Sequence, residues 1–191
     1  MLKKLLAAAA ALAVTAAIAA AATFAIDGGQ PVLPGNAGPT VFHSGGATPV
    51  AVSSGTDATA VNTETYIVEV FVPANATLTG VSVLHLATST GNVQFSLADS
   101  AGVPIAAAVT ASTAATGSAA YQKVPFAVAY AAKGPAKYFI LMQNSGSNHY
   151  RAHALGNFGA AKKTGETYGT FTTVTPPTTF TADLGPIADV Y

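Results

Sequence analysis

The chain has no cysteine and no tryptophan, and only 8% of its 191 residues are charged. Without cysteine there is no disulfide, no thiolate zinc site and no thiol nucleophile. An ordinary globular domain carries about 25% charged residues, so much of this surface must be uncharged. The 8 basic and 8 acidic residues cancel. Two of the basic ones, Lys3 and Lys4, stand at the N-terminus, and no basic patch follows. Nucleic-acid binding rests on neutralising phosphates, so nucleic acid is not expected as a partner. The sequence also lacks a P-loop, a dinucleotide fingerprint and a Gly-x-Ser-x-Gly elbow.

Half of the residues are hydrophobic, largely Ala, and Gly, Thr and Ser dominate the rest. Small, uncharged, β-compatible residues suit strands and tight turns better than solvated helices. The first residues are different. "MLKKLLAAAAALAVTAAIAAAATFAIDGGQ" opens with the positive pair and continues as an apolar run from Leu5 to Ala22. Ala20–Ala22 and Thr23–Ala25 then offer small residues for cleavage. This is the pattern of a secretory signal, with the lysines keeping their end in the cytoplasm. The run also approaches membrane-spanning length. A retained anchor and an Ala-rich helix held in an assembly are the alternatives. No acid precedes Asp27, which disfavours a pilin-like start.

Three regions are expected: a signal peptide or anchor helix over 1–25, a Gly/Pro/Ser-rich arm over 26–63, and a β-domain over 64–191. The arm has no sustained period, although Thr40–Phe42 and Val50–Val52 are short extended pieces. From Thr65 onward short strands are predicted over 65–73, 76–87, 92–99, 102–110, 121–130, 137–143, 149–155, 167–174 and 178–191. Gly, Pro, Asn, Asp and Ser separate them, and such spacing predicts a sandwich or barrel. In 92–99, Val93, Phe95 and Leu97 share one face. "KYFILMQ" (137–143) is apolar on both faces, as a central strand is.

The succession "VFVPANATLTGVSVL", "VQFSLADSAGVPIA" and "YQKVPFAVAYAAKGPAKYFILMQ" resembles jelly-roll-like β-sandwich modules of secreted and viral surface proteins. The block 156–191 resembles, more loosely, proteins of phage and prophage-like gene clusters. The resemblance spans roughly 65–191, and its motifs are structural. It implies an all-β protein with a single antiparallel, jelly-roll-like β-sandwich after the apolar helix and the extended arm. It further implies a non-enzymatic decoration or fibre role, or glycan binding.

Candidate chemistry is sparse. His149, Arg151 and His153 repeat every second residue, so a strand would place them on one face, with Tyr150 opposite. The four residues form the candidate ligand-binding set, since Arg offers a fork of donors to sugar hydroxyls or carboxylates. His85 with His149 and His153 is a weak metal candidate, against which stands a plain solvated face. Asp99-Ser100-Ala101-Gly102 is read as an Asx-capped turn in preference to a calcium loop. Glu64, Glu69 and Glu166 show no pairing that would signal a glycosidase. Lys162, Lys163 and Glu166 are read as a solvated hairpin tip. Asn75-Ala76-Thr77 matches a glycosylation sequon, which carries no meaning in a bacterial setting. Tyr121, Tyr130, Tyr150 and Tyr168 are possible stacking residues, with core packing as the commoner fate.

The expectation is a non-enzymatic structural or interaction protein without a cofactor, exported to the periplasm, cell surface or medium, or carried on a virion. Its partners would be itself or other surface and particle proteins, with glycan as an alternative, and a membrane only through the N-terminal segment. A metal-dependent secreted enzyme is the remaining alternative.

Overall fold

The computed structural model describes residues 25–27, 30–32, 41–45 and 55–191. Among the described residues there is no helix, and the paired strands are antiparallel. In chain order they are β1 (Ala25–Asp27), β2 (Gln30–Val32), β3 (Phe42–His43), β4 (Thr56–Ala60), β5 (Glu64–Val72), β6 (Ala76–Leu84) and β7 (Asn92–Ala98). There follow β8 (Pro104–Val109), β9 (Thr113–Ala114), β10 (Tyr121–Ala132), β11 (Ala136–Asn144), β12 (Asn148–Ala152), β13 (Ala160–Thr164) and β14 (Ala188–Val190). The apolar helix expected over 1–25 lies outside the described residues, except that Ala25 opens β1.

The chain forms two compact units, Met1–Thr40 and Val41–Tyr191. The first contains the β1–β2 pair. The second contains a six-stranded sheet in the order β13-β5-β11-β7-β8, with β9 beside β7, and a four-stranded sheet in the order β10-β6-β14-β3. A β12–β4 ribbon joins the end of β6 through the bridge between His85 and Tyr150. Phe42–His43 and Thr56–Ala60, within the 26–63 stretch read from composition as arm, thus form β3 and β4 of the second unit. Val50–Val52 lies outside the described residues.

Alternation drives the packing. Tyr66, Val68, Val70 and Val72 on β5, Val93, Phe95 and Leu97 on β7, and Tyr138, Ile140 and Met142 on β11 point to one side. They share a cluster with Leu78, Val81, Val83, Val124, Phe126 and Val190 of the smaller sheet. The two sheets therefore bury each other's apolar faces, a sandwich-like arrangement. Each such side chain removed from water contributes about 1.5–3 kcal/mol before entropy is counted.

Strand β11 is apolar on its other face too, because that face is covered. Phe139 and Leu141 pack with Ile67, Ala98, Val174 and Phe171. Residues 167–174 were expected to be a strand, but they join no ladder with the sheet. They cross its outer face, tied by Val174 N–H to Gly102 O at 3.0 Å. A buried polar clasp also holds them. Gln143 Nε2 donates to Thr65 Oγ1 and to Thr170 O, and Thr65 and Thr172 hydroxyls reach the Glu166 carboxylate. Side-chain partners there replace a ladder.

Two turns explain the connections. Asp99 Oδ1 accepts from the backbone N–H groups of Ala101 (2.9 Å) and Val103 (3.0 Å), as an Asx turn requires. Gly102 has φ of 80°, and a Cβ there would meet Val174 O at 2.1 Å, so only glycine fits. Between β10 and β11 the chain passes from one sheet to the other. There Tyr138 Oη donates to Lys133 O (2.9 Å) and accepts from Lys133 N–H (3.0 Å). This resembles the tyrosine corners of Greek-key sandwiches.

Candidate functional site

The sequence-predicted residues are not gathered into one recognition row. Tyr150 is fully buried. Its ring meets Tyr66 edge-on at 5.4 Å, and its hydroxyl donates to Leu184 O at 3.2 Å. Burial, with the nearby Tyr66 and Glu64, raises its phenol above the ordinary value. A ring so enclosed has no face left for a sugar. His149 is half-buried, its Nδ1 3.3 Å from Thr59 Oγ1. Arg151 pairs with Asp57 of β4 through Nη1. His153 lies just past the end of β12 and turns inward, where its Nε2 meets Ser44 Oγ at 2.8 Å and its ring meets Phe158. Burial lowers its pKa to about 4.

His85 is enclosed as well, its Nδ1 3.5 Å from Ser89 Oγ and its Nε2 without a partner. Burial lowers its pKa to about 4, against a hydrogen bond with the His149 backbone. Among the described residues, no group of three or more His, Asp or Glu side chains converges in a way that could hold a metal. Asp99 engages its own turn.

The three glutamates are each matched with a lysine. Glu69 pairs with Lys137 at 2.9 Å, Glu64 with Lys162 at 2.7 Å and Glu166 with Lys163 at 2.8 Å. Burial pushes the Glu64 and Glu166 carboxyls up, but the lysine and hydroxyl hydrogen bonds outweigh it and leave both below the ordinary value. Lys162 and Lys163 are not a hairpin tip. They lie in β13, an outer strand of the larger sheet, and Glu166 is buried beneath it. Lysines are a common guard on such an edge.

Two features were missed. One is a transverse row on the outer face of the smaller sheet, where Lys123, Ser82, Asp189 and His43 stand opposite one another. His43 Nδ1 lies 2.7 Å from Asp189 Oδ1, and Ser82 Oγ donates to Asp189 Oδ2 at 3.4 Å. Burial raises the Asp189 carboxyl, against these hydrogen bonds. Ser82 bonds the carboxylate rather than the imidazole, so the row ties three strands together and does not form a nucleophile–base pair. Only the final fold brings together two residues 146 positions apart.

The other feature is the side formed by β8, β9 and β10. Between Ser100 and Ala132 the only charged residue is Lys123, and its ammonium lies 4.9 Å from the centroid of the Tyr191 ring. Thr110, just past the end of β8, bridges Phe126 of β10. Both bulge. The β7–β8 ladder passes from Ser96↔Val109 to Ala98↔Pro104, leaving out Ile105–Ala108. The β10–β6 ladder passes from Pro125↔Gly80 to Tyr130↔Leu78, leaving out Phe126–Ala129. Phe126 and Ala108 tuck inward, while Ala106, Ala107, Ala127, Val128 and Ala129 are exposed, Val128 by 67%. Consecutive exposed apolar residues at Ala127–Ala129 break the alternation that the rest of the strand follows. The uncharged runs "PIAAAV" and "PFAVAYAA" were the available signal.

A shallow depression of about 330 Å³ lies at the end of β10, lined by Asn75, Ala76, Thr77, Ala131, Ala132 and Lys133. It lacks the enclosure and converging polar groups of a small-molecule site. No family model matches the chain, and neither curated proteins nor solved structures give a match.

Proposed function

We propose that this chain is a non-enzymatic structural protein of an outer surface or particle, a jelly-roll-like β-sandwich that acts by packing against protein. One observation carries the reading: the charge-poor side along β8 to β10, where Lys123 is the one charged residue and Ala127, Val128 and Ala129 stand out from the sandwich. Charged residues are depleted at the centres of protein interfaces, and this side is depleted over its whole length. The signal-like N-terminal sequence supports export, and the resemblance to surface modules supports the sandwich type.

Cell fractionation combined with a photo-crosslinker at position 128 tests the reading. The expected result is an exported or particle-associated protein that cross-links to protein from that position. A cytoplasmic protein with no cross-linked product would overturn it.

A further inference from the structure

The outer face of the larger sheet carries a polar row that meets the segment crossing above it. Lys163 of β13 stands opposite Thr65 of β5. Met142 pairs with Tyr66, so the next positions, Gln143 and Thr65, face each other on the side away from the core. Both are 1% exposed. Gln143 Nε2 lies 2.9 Å from Thr65 Oγ1. Gln143 Oε1 accepts from Gly169 N–H at 3.0 Å, and Thr65 Oγ1 donates to Glu166 Oε2 at 3.3 Å. A hydroxyl, a carboxamide, a donor on the amide oxygen and a carboxylate on the hydroxyl therefore meet in one buried place. Acyl transfer needs these four parts: nucleophile, electrophile, oxyanion donor and base.

The geometry points to an intramolecular ester between the side chains of Thr65 and Gln143, formed by the protein itself with release of ammonia. Thr65 Oγ1 attacks Gln143 Cδ while its proton passes to Glu166. The charge that develops on Oε1 is held by Gly169 N–H. The Cδ–Nε2 bond then breaks, Glu166 returns the proton to the leaving nitrogen, and ammonia departs. One C–O bond replaces one C–N bond, and no oxidant or cofactor takes part.

The surroundings favour this step. An oxygen bonded to the amide nitrogen stands about 4 Å from the amide carbon, little beyond the roughly 3–3.5 Å of a near-attack arrangement. The terminal torsion of glutamine is broad, and its rotation closes the remainder. Hydrogen bonds from Lys163, Thr172 and Thr65 hold Glu166 as the carboxylate, the form that takes up a proton. Nε2 also donates to Thr170 O. Gly169 and Thr170 are exposed, so ammonia has an exit and the Thr170 carbonyl can turn to water once the nitrogen leaves. Burial of Thr65 and Gln143 shields the ester from hydrolysis. The link joins positions 78 apart. It would restrain the unfolded chain as a disulfide does, in a chain without cysteine. The inference is independent of the packing role proposed above.

Mass spectrometry of the purified full chain, kept folded at neutral pH and then digested with trypsin, tests it. Cleavage after Lys137 and Arg151 yields peptide 138–151, which contains Gln143, while Thr65 lies in the peptide that ends at Lys123. The expected product is these two peptides joined, lighter than their sum by one ammonia, and separated again by hydroxylamine. Thr65→Val should release peptide 138–151 free, and Thr65→Ser should restore the link. Wild-type peptide 138–151 recovered free, with Gln143 as the intact amide or hydrolysed to the acid, overturns the inference. So does a link that survives in Thr65→Val. The wild-type result decides even if a variant fails to fold.

Discussion

Lowering the pH from 7 to 5 should destabilise this protein steeply, through two histidines buried in neutral form. His85 and His153 have folded pKa values of about 4, against 6.5 in an exposed chain. Burial is the cause in both, opposed in His85 by a hydrogen bond with the His149 backbone. Above pH 6.5 both states are neutral, and the full stability is present. Between 6.5 and 4 the unfolded chain binds protons that the folded one refuses, so stability falls as the pH falls. Each histidine is worth on the order of 3 kcal/mol across that window, at about 1.4 kcal/mol per pKa unit. A domain of ordinary stability has only about 5–15 kcal/mol to lose. Glu64 and Glu166 have lowered pKa values, so their contribution is lost only below their ordinary 4.5. Asp189 works in the opposite direction, because its raised carboxyl is relieved by protonation. Urea midpoints at pH 7, 6 and 5 measure the slope. In His85→Gln/His153→Gln the slope between pH 6.5 and 5 should shrink sharply. A wild-type stability flat over that range, or a slope unchanged in the double variant, would refute the reasoning.

Other substitutions probe separate parts of the structure. Tyr150→Phe removes the donor to Leu184 O and should cost about 1 kcal/mol in urea unfolding, whereas Tyr150→Ala opens the core and should cost about 3–5 kcal/mol. Gly102→Ala drives a Cβ against Val174 O and should both destabilise the protein, by about 1–3 kcal/mol, and expose 171–174 to limited proteolysis. Glu166→Gln loses the Lys163 pair and weakens the Thr172 bonds, costing about 1–3 kcal/mol at pH 7. Its effect should fade in acid as the wild-type carboxylate protonates.

The parts of the fold legible in the sequence are those governed by period-2 alternation. β5, β6, β7 and β11 stand close to their expected positions because β-branched and aromatic residues alternate there, and Val93, Phe95 and Leu97 do face the core. The Asp99 turn was legible because Asp and Gly meet specific backbone demands. β13 was not, because its lysines suit a solvated loop and an edge strand equally. Residues 167–174 have a strand's composition but spend their hydrogen bonds on side chains of the sheet below.

Alternation correctly set Tyr150 opposite His149 and Arg151, but it could not say that β12 ends at Ala152 and that His153 then turns inward. Register shifts have no signature in composition. The bulges at Ile105–Ala108 and Phe126–Ala129 were therefore visible only as charge-free runs, and the His43–Asp189 pair was not visible at all.

The most direct test of the packing role is a photo-crosslinker at position 128, compared with one at Leu155, another exposed apolar position, in the protein at its native location. The account predicts a protein adduct from position 128 and none from position 155. No protein adduct from position 128 would contradict it.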